Sequence, residues 1–366
     1  MKMRAAILEK NQEPLIVATD VECAGPGADE VVVKVSSCGI CHSDLTMVDL
    51  PAGGPAPAIF GHEAAGIVEE VGSSVTRLAK GDKVMLTPIP SCGSCYFCVR
   101  SEFSLCVEGQ SFMTGLRADG STPLSRGGHP VFQGFGLGGW GEYALVDEGR
   151  AIEVEDDTPL EIACVIGCAV QTGVGAVLNT AKVEEGATVL VMGLGGIGIS
   201  IVQGARLANA ARIIVSDPVA ERRDYAARFG ATDILDPNRD DVVANAIELT
   251  SGVGVDYAFD GAGSASLISA GLQASRIGGT TVMVGAAMDT LEIPLPAMFL
   301  TQEKKLIGSL LGSCNGHYDV TRFLALWRKG ALDLESMISH RRPIEDVNLG
   351  LDDMRASRGL RTVLEF

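Results

Sequence analysis

The sequence predicts an α/β protein in which a doubly wound parallel-sheet domain is inserted into a β-rich domain. The first part of the chain consists of short apolar runs broken by glycine and proline, such as EVVVKVSSCG at 30–39, and such runs are typical of strands joined by turns. After residue 172, apolar strands alternate with helical patterns, which indicates a parallel sheet. We therefore expect one domain over 1–172, continued by 311–366, and a second over 173–310.

Composition limits the classes of function that this chain can have. At 366 residues, with 46% hydrophobic and 20% charged, it is long enough for two cores. The net charge of −17 argues against a nucleic-acid partner, because lysine and arginine supply most of that affinity. With no run of eighteen apolar residues and no signal-peptide pattern, we expect a cytoplasmic protein with no membrane partner. In that compartment clustered cysteines are metal ligands more often than disulfides.

A glycine-rich turn follows the first strand of the predicted parallel sheet. Gly193, Gly195 and Gly198 have G-x-G-x-x-G spacing between an apolar strand and a helix, and Asp217 ends the next strand. This context predicts a dinucleotide whose pyrophosphate lies at the helix N-terminus. Asp217 would accept hydrogen bonds from the adenosine ribose and repel a 2′-phosphate, which favours NAD. The nearby Arg222 keeps NADP open, and a tight turn that binds nothing is the other alternative.

Four cysteines lie close together at Cys92, Cys95, Cys98 and Cys106. Their C-x2-C-x2-C-x7-C spacing suits one tetrahedral zinc ion with every position filled by protein, which is a structural site. Such a metal would hold a lobe over 91–107 that has too few apolar residues to fold alone. An iron–sulfur cluster is the alternative.

A catalytic zinc needs an open position, and three separated residues could supply it. Cys41, His62 and Cys168 offer two thiolates and one imidazole, which leave the fourth corner of a tetrahedron free. Their spacing in the sequence alone does not show that these three residues bind one metal ion. A buried core thiol and a hydrogen-bonded turn histidine are the ordinary alternatives for Cys168 and His62.

Several motifs together resemble one family. They are CGICHSD, GHEAAGIVEEVG, the four-cysteine lobe, IGC, GLGGIG and the closing LRTVLEF. Their order and spacing over nearly the whole chain are similar to those of zinc-dependent medium-chain alcohol dehydrogenases, in the branch that includes liver-type, formaldehyde and bacterial aryl-alcohol enzymes. The resemblance implies a GroES-like catalytic domain with an inserted Rossmann domain. It also implies that Cys41, His62 and Cys168 bind the catalytic zinc.

The resemblance assigns further roles near that zinc. It implies that Glu63 is an occasional ligand or charge modulator and that Asp44 orients His62 by accepting its other ring N–H. Ser43 matches the hydroxyl that takes the alcohol proton, although it could equally be a helix cap. Thr46 stands where the liver-type relay ends in a histidine, so it could pass a proton but could not act as a base near neutral pH.

The resemblance also extends the set of cofactor contacts. His42 and Arg361 match residues near the pyrophosphate, while Thr172 and Ile197 match residues around the nicotinamide; an ordinary surface or core side chain is the alternative for each. The full set of expected cofactor-binding residues is His42, Thr172, Gly193, Gly195, Gly196, Ile197, Gly198, Asp217, Arg222 and Arg361.

The function expected from this resemblance is reversible NAD-dependent oxidation of an alcohol to an aldehyde or ketone. Each chain would bind one catalytic and one structural Zn²⁺, and NAD. A thiol-dependent formaldehyde dehydrogenase and a non-catalytic cofactor-binding protein are the alternatives. We expect a homo-oligomer, because the long segment between Gln110 and Tyr143 matches the dimeric branch, with a tetramer as the alternative.

Overall fold

The fold is described from a computed structural model, over residues 1–51, 54–117, 119–286, 291–295 and 297–366. The strands within these residues are β1 (Lys2–Ile7), β2 (Ile16–Cys23), β3 (Glu30–Gly39), β4 (Ala58–Ile59), β5 (Glu63–Val71), β6 (Lys83–Leu86), β7 (Leu124–Arg126), β8 (His129–Gln133), β9 (Tyr143–Asp147), β10 (Ala151–Glu153), β11 (Thr188–Met192), β12 (Arg212–Ser216), β13 (Asp233–Leu235), β14 (Val255–Asp260), β15 (Ser275–Met283), β16 (Lys305–Gly308), β17 (Ile338–Pro343) and β18 (Arg361–Glu365). The α-helices are α1 (His42–Asp49), α2 (Ser111–Thr114), α3 (Leu160–Val165), α4 (Gln171–Gly175), α5 (Gly196–Leu207), α6 (Ala220–Phe229), α7 (Val242–Leu249), α8 (Ala265–Ala274), α9 (Gly316–Arg328) and α10 (Val347–Arg355).

The chain forms two compact units. The first contains Met1–Cys168, Asn315–Arg328 and Leu334–Phe366, and the second contains Ala169–Cys314 and Lys329–Asp333. The expected boundaries, after residue 172 and before residue 311, lie close to these divisions. The predicted fold class, a β-rich domain with an inserted doubly wound domain, is confirmed.

The first unit is built around β3. Among the described residues its sheets have the orders β1-β2-β7-β8-β4 and β10-β6-β5-β3-β18-β17, with β9 added to β3. The antiparallel pairing of β3 with β9 runs from Glu30 to Lys34, and that with β18 from Ser37 to Gly39. Because the last strand pairs with β3, the end of the chain belongs to the N-terminal domain. The valines of β3 are buried and form part of its core.

The second unit is a parallel sheet with the order β13-β12-β11-β14-β15-β16 over the described strands. Successive strands are added first on one side of β11 and then on the other. The turn after β11 therefore lies where the strand order reverses, and ligands bind in that position in open α/β sheets. Val189, Leu190 and Val191 in β11 are fully buried, as expected for a strand covered on both faces.

One apolar helical run joins α3 and α4. Leu160–Ala181 is long and apolar enough to cross a membrane by length and composition, but 83% of its most apolar window is buried inside the structure. Packing within the protein therefore accounts for its composition. The run contains two π-helical segments, Ile166–Val170 and Ala176–Ala181, and such segments often occur at functional sites.

Candidate active site

Three distant parts of the first unit bring metal-ligand side chains together. Cys41 precedes α1, His62 directly precedes β5, Glu63 begins that strand, and Cys168 lies in the first π-helical segment. One possible ligand atom from each lies within 4.8 Å of all the others, and the two sulfur atoms are 3.9 Å apart. A tetrahedral zinc with Zn–S bonds of about 2.3 Å would hold two thiolates about 3.8 Å apart. The donor set therefore fits zinc.

Asp44 organises this cluster from the first turn of α1. One carboxylate oxygen accepts a hydrogen bond from the Cys41 N–H at 3.0 Å, and the other accepts one from the Gly61 N–H at 3.0 Å. That second oxygen also lies 3.0 Å from Nδ1 of His62. Because Nδ1 is engaged by a fully buried carboxylate, Nε2 is the ring nitrogen free to bind a metal.

The contact between the two thiols shifts their pKa values in opposite directions. The hydrogen bond between the Cys41 and Cys168 sulfur atoms, in which either thiol can be the donor, lowers the pKa of Cys41 well below its usual value, and the adjacent His62 contributes to this shift. That same contact, with burial, raises the pKa of Cys168. Burial disfavours the charged form of His62, but the charges of Asp44 and Cys41 outweigh it and raise its pKa. Of the two thiols, Cys41 is therefore the one that more readily forms a thiolate, which is the form that binds a metal.

Glu63 is buried beside the cluster and forms an ion pair with Arg361. Burial raises the pKa of Glu63 to about 8, although the guanidinium 3.2 Å away opposes this shift. Arg361 Nη1 also donates to the Ile40 carbonyl at 2.8 Å. Within the described part of the chain, neither Glu63 oxygen accepts a hydrogen bond, so the carboxylate has free lone pairs for a metal.

The other residues predicted near the cluster lie in α1. Ser43 Oγ is 3.9 Å from Cys41 Sγ, close enough to contact a molecule bound at the metal. Thr46 Oγ1 donates to the His42 carbonyl at 2.9 Å, one helical turn earlier, so its proton is engaged there. His42 is exposed, and nothing in its contacts assigns it a ligand.

The four cysteines of the lobe also converge. Their sulfur atoms lie within 4.8 Å of one another, with Cys92 to Cys98 at 3.9 Å and Cys95 to Cys106 at 4.0 Å. Backbone N–H groups point at the sulfurs, as from Cys95 to Cys92 at 3.4 Å and from Cys98 to Cys95 at 3.5 Å. Backbone hydrogen bonds lower the pKa of Cys95 to about 6. The ten cysteines, all in described positions, are free thiols, and this lobe fits a closed zinc site.

The glycine turn of the second unit joins β11 to α5. Gly193 has φ of +86°, a conformation that favours glycine, and a Cβ at Gly198 would lie 1.9 Å from the Gly193 carbonyl oxygen. A Cβ at Gly195 would meet nothing within 4 Å, so that side of the turn is open to a ligand. Gly196 and Ile197 begin α5, whose first N–H groups can receive a phosphate.

Asp217 lies directly after β12 and faces this turn. Its Oδ2 accepts from the Leu194 N–H at 2.7 Å, and its Oδ1 accepts from the Val219 N–H at 2.8 Å. Arg222 is 4.0 Å from the same carboxylate. Thr172 is buried in α4. The turn and the carboxylate thus have the relation that dinucleotide binding requires.

Comparison with known proteins identifies the family. Residues 27–156 match the alcohol dehydrogenase GroES-like domain, and residues 196–328 match the zinc-binding dehydrogenase domain. The chain is 36% identical to an NDMA-dependent alcohol dehydrogenase of Amycolatopsis methanolica, covering 100% of this chain and 99% of that protein. It is 35% identical to an S-(hydroxymethyl)glutathione dehydrogenase of Escherichia coli, over 100% of both chains. The chain belongs to the zinc-dependent medium-chain alcohol dehydrogenase family.

A solved structure agrees with this assignment. Benzyl alcohol dehydrogenase from Acinetobacter calcoaceticus superposes with a TM-score of 0.93 at 28% identity, over 100% of this chain and 99% of that one. The predicted family and the enzyme class are confirmed, and so are zinc and a nicotinamide cofactor. The roles of the individual site residues stay predictions.

Sequence reasoning missed one notable group in each unit. The Phe135 ring lies 4.4 Å from the His62 ring, yet the glycine-rich stretch that contains it gave no signal for that contact. Asp260, at the end of β14, accepts hydrogen bonds from the N–H groups of Ala262, Gly263 and Ser264. An acidic residue that ends a predicted parallel strand could have been noticed.

Proposed function

We propose that this chain oxidises an alcohol to an aldehyde or ketone with NAD, and catalyses the reverse reduction. The observation that carries the proposal is the convergence of Cys41, His62 and Cys168 beside Glu63, because three protein ligands leave the fourth position of a tetrahedral zinc to Glu63 or to a substrate. A site with every position filled by protein could hold a metal but could not bind substrate.

Bound zinc supplies the Lewis acidity that makes the alcohol easier to deprotonate, and bound NAD is the hydride acceptor. Asp44 keeps Nε2 of His62 directed at the metal position by holding Nδ1. We assign to Ser43, whose Oγ lies 3.9 Å from Cys41 Sγ, the task of accepting the alcohol proton and passing it on. With Thr46 committed to a backbone carbonyl, we assign the onward route to solvent or the cofactor ribose.

Asp217 supports NAD over NADP. Its carboxylate is only 3% exposed, and both oxygens accept backbone hydrogen bonds, which fix its position directly after β12. A ribose 2′-phosphate would bring a second negative charge against it. Arg222, 4.0 Å away, is already paired with the same carboxylate and so offers less charge to that phosphate.

The four-cysteine lobe we assign to a structural zinc. Backbone N–H groups already point at its sulfurs, and such contacts stabilise thiolates in a closed site. Its metal would hold the lobe without touching substrate.

We also propose a cytoplasmic homodimer, with a tetramer as the alternative, and no nucleic-acid or membrane partner. Large apolar side chains are exposed near the β16 edge of the parallel sheet, at Ile277, Leu295, Met298 and Leu300. The Gly278 N–H donates a hydrogen bond to the Gln302 carbonyl at 2.8 Å, which joins the segment that contains Ile277 to the segment that contains Leu300. Light scattering on the purified protein measures the assembly, and cell fractionation measures the compartment.

Metal analysis and steady-state kinetics test the enzymatic proposal. We expect two zinc ions per chain and NADH formation from benzyl alcohol with NAD. Cys41→Ala should abolish turnover and leave NADH binding intact, whereas Cys23→Ala, which changes a buried cysteine outside both clusters, should stay active. Retained alcohol oxidation by Cys41→Ala would contradict the assignment.

The relative from Escherichia coli favours a second candidate, oxidation of a thiol–formaldehyde adduct. Parallel assays with formaldehyde plus glutathione or mycothiol decide between the two substrates. A non-catalytic cofactor-binding role would require zero turnover with every alcohol and adduct in a protein that holds both zinc ions.

A further inference from the structure

The guanidinium of Arg150 is buried at the neck of the four-cysteine lobe. It lies in the 3₁₀ turn Glu148–Arg150, and its side chain is 2% exposed. Nη1 donates to the Pro88 carbonyl and Nη2 donates to the Glu108 carbonyl at 3.1 Å. Pro88 precedes the lobe and Glu108 follows it, so one side chain binds both of its ends. A buried cation without such acceptors would be strongly destabilising.

The same guanidinium lies against the turn Gly134–Gly136. A Cβ at Gly136 would be 3.3 Å from Arg150 Nη1, so the backbone of this turn packs closely against the guanidinium. Phe135, in the middle of the turn, has φ of +55°. A bulky side chain disfavours that conformation, so the turn needs support from its surroundings.

This turn is connected directly to the segment that carries His62. The Phe135 and His62 rings have centroids 4.4 Å apart. The Gly139 N–H donates to the Gly61 carbonyl at 2.8 Å, one residue before His62. Phe112, in α2 just beyond the lobe, places its ring 5.1 Å from Phe135. The segment that follows the lobe is therefore connected to the Phe135 turn in two ways, through Arg150 and through the ring of Phe112.

We infer that Arg150 is a positioning residue that couples the four-cysteine lobe to the Phe135 turn and thereby holds the His62 imidazole in place. This rests on the proposed function, since the task of His62 is to bind the catalytic metal. A metal in the lobe then does more than fold the lobe, because it fixes the distance between the two carbonyls that Arg150 binds.

Hydrogen exchange provides a test that does not depend on activity. Arg150→Met removes the donors at similar length, and Arg150→Lys keeps the charge but reaches only one carbonyl. Arg100→Met is the matched control, since Arg100 is exposed on the same lobe and lies 5.2 Å from the Tyr96 ring. We expect amide exchange over 134–141 to rise about tenfold in Arg150→Met, less in Arg150→Lys and not in Arg100→Met. Unchanged exchange in both Arg150 variants would overturn the inference.

A double-mutant cycle separates positioning from general destabilisation. We expect kcat/KM for the alcohol to fall about tenfold in Arg150→Met, as is common when support of a metal ligand is lost. If Arg150 acts through Phe135, Arg150→Met should cost less than about twofold in a Phe135→Leu background. Additive losses would overturn the inference. An inactive wild type would instead refute the proposed function, and the exchange measurement would still decide the role of Arg150. If Arg150→Met does not fold, Arg150→Lys carries both comparisons.

Discussion

Asp44→Asn should weaken the catalytic zinc site selectively. The carboxylate makes three contacts of 3.0 Å, with the N–H groups of Cys41 and Gly61 and with Nδ1 of His62. An amide has one oxygen, so if that oxygen faces Gly61 and His62, its NH2 group must face the Cys41 N–H and one buried donor loses its acceptor.

The size of the effect follows from that loss. Removing the partner of a metal-bound histidine usually costs 10- to 100-fold in metal affinity or activity, which is about 1.4–2.7 kcal/mol. We expect kcat/KM to fall by that factor and the more labile zinc to be released faster to a chromophoric chelator. The zinc of the four-cysteine lobe should be unaffected.

Asp49→Asn is the control for this variant. Asp49 ends the same helix, is exposed and pairs with Arg355 at 2.6 Å, so this change should alter neither zinc nor turnover. An Asp44→Asn enzyme with wild-type kcat/KM and wild-type zinc release would refute the reasoning.

Three further predictions concern other parts of the molecule. Gly198→Ala places a Cβ 1.9 Å from the Gly193 carbonyl oxygen, so NADH binding measured by fluorescence titration should be lost. The control Gly195→Ala meets no atom within 4 Å and should fold with an unchanged melting temperature. Normal NADH affinity in Gly198→Ala would contradict this prediction. Cys95→Ser should leave one zinc per chain by metal analysis and lower the melting temperature, and two zinc ions at an unchanged melting temperature would refute a structural site. Arg361→Met leaves Glu63 without its ion-pair partner and should destabilise the first unit mainly above the pKa of Glu63, because below it the buried carboxyl binds a proton and avoids the cost of an unpaired charge. Denaturant unfolding on both sides of that pKa measures the effect. Arg361→Met/Glu63→Gln should recover part of the loss, and an Arg361→Met protein as stable as the wild type above that pKa would show that the pair is not coupled.

Features that depend on neighbouring residues could be predicted from the sequence. The lobe cysteines lie within fifteen positions of one another, so their spacing alone predicted a shared metal. The glycine turn was likewise predicted, because its conformation and the close approach of Gly198 to Gly193 arise within a few residues. The alternation of strand and helix indicated the parallel sheet for the same reason.

The catalytic cluster shows what local pattern does not contain. Cys41, His62 and Cys168 were joined by family resemblance, and no spacing rule relates residues so far apart. Only the pairing of β3 with β5 and the packing of α3 against those strands bring them together in the structure. Arg361 illustrates the same limit, because the family resemblance assigned it to the pyrophosphate, which stays a prediction, and only the fold reveals its ion pair with Glu63.

The sequence by itself determined the fold class, the glycine turn and the four-cysteine lobe, since each results from conformational preferences and contacts over short distances along the chain. Tertiary structure decided the orientation of His62 by Asp44, the contact of Phe135 with that ring and the placement of Arg150 at the neck of the lobe. These contacts depend on strand register and side-chain packing between distant segments, which are set by the free energy of the whole domain.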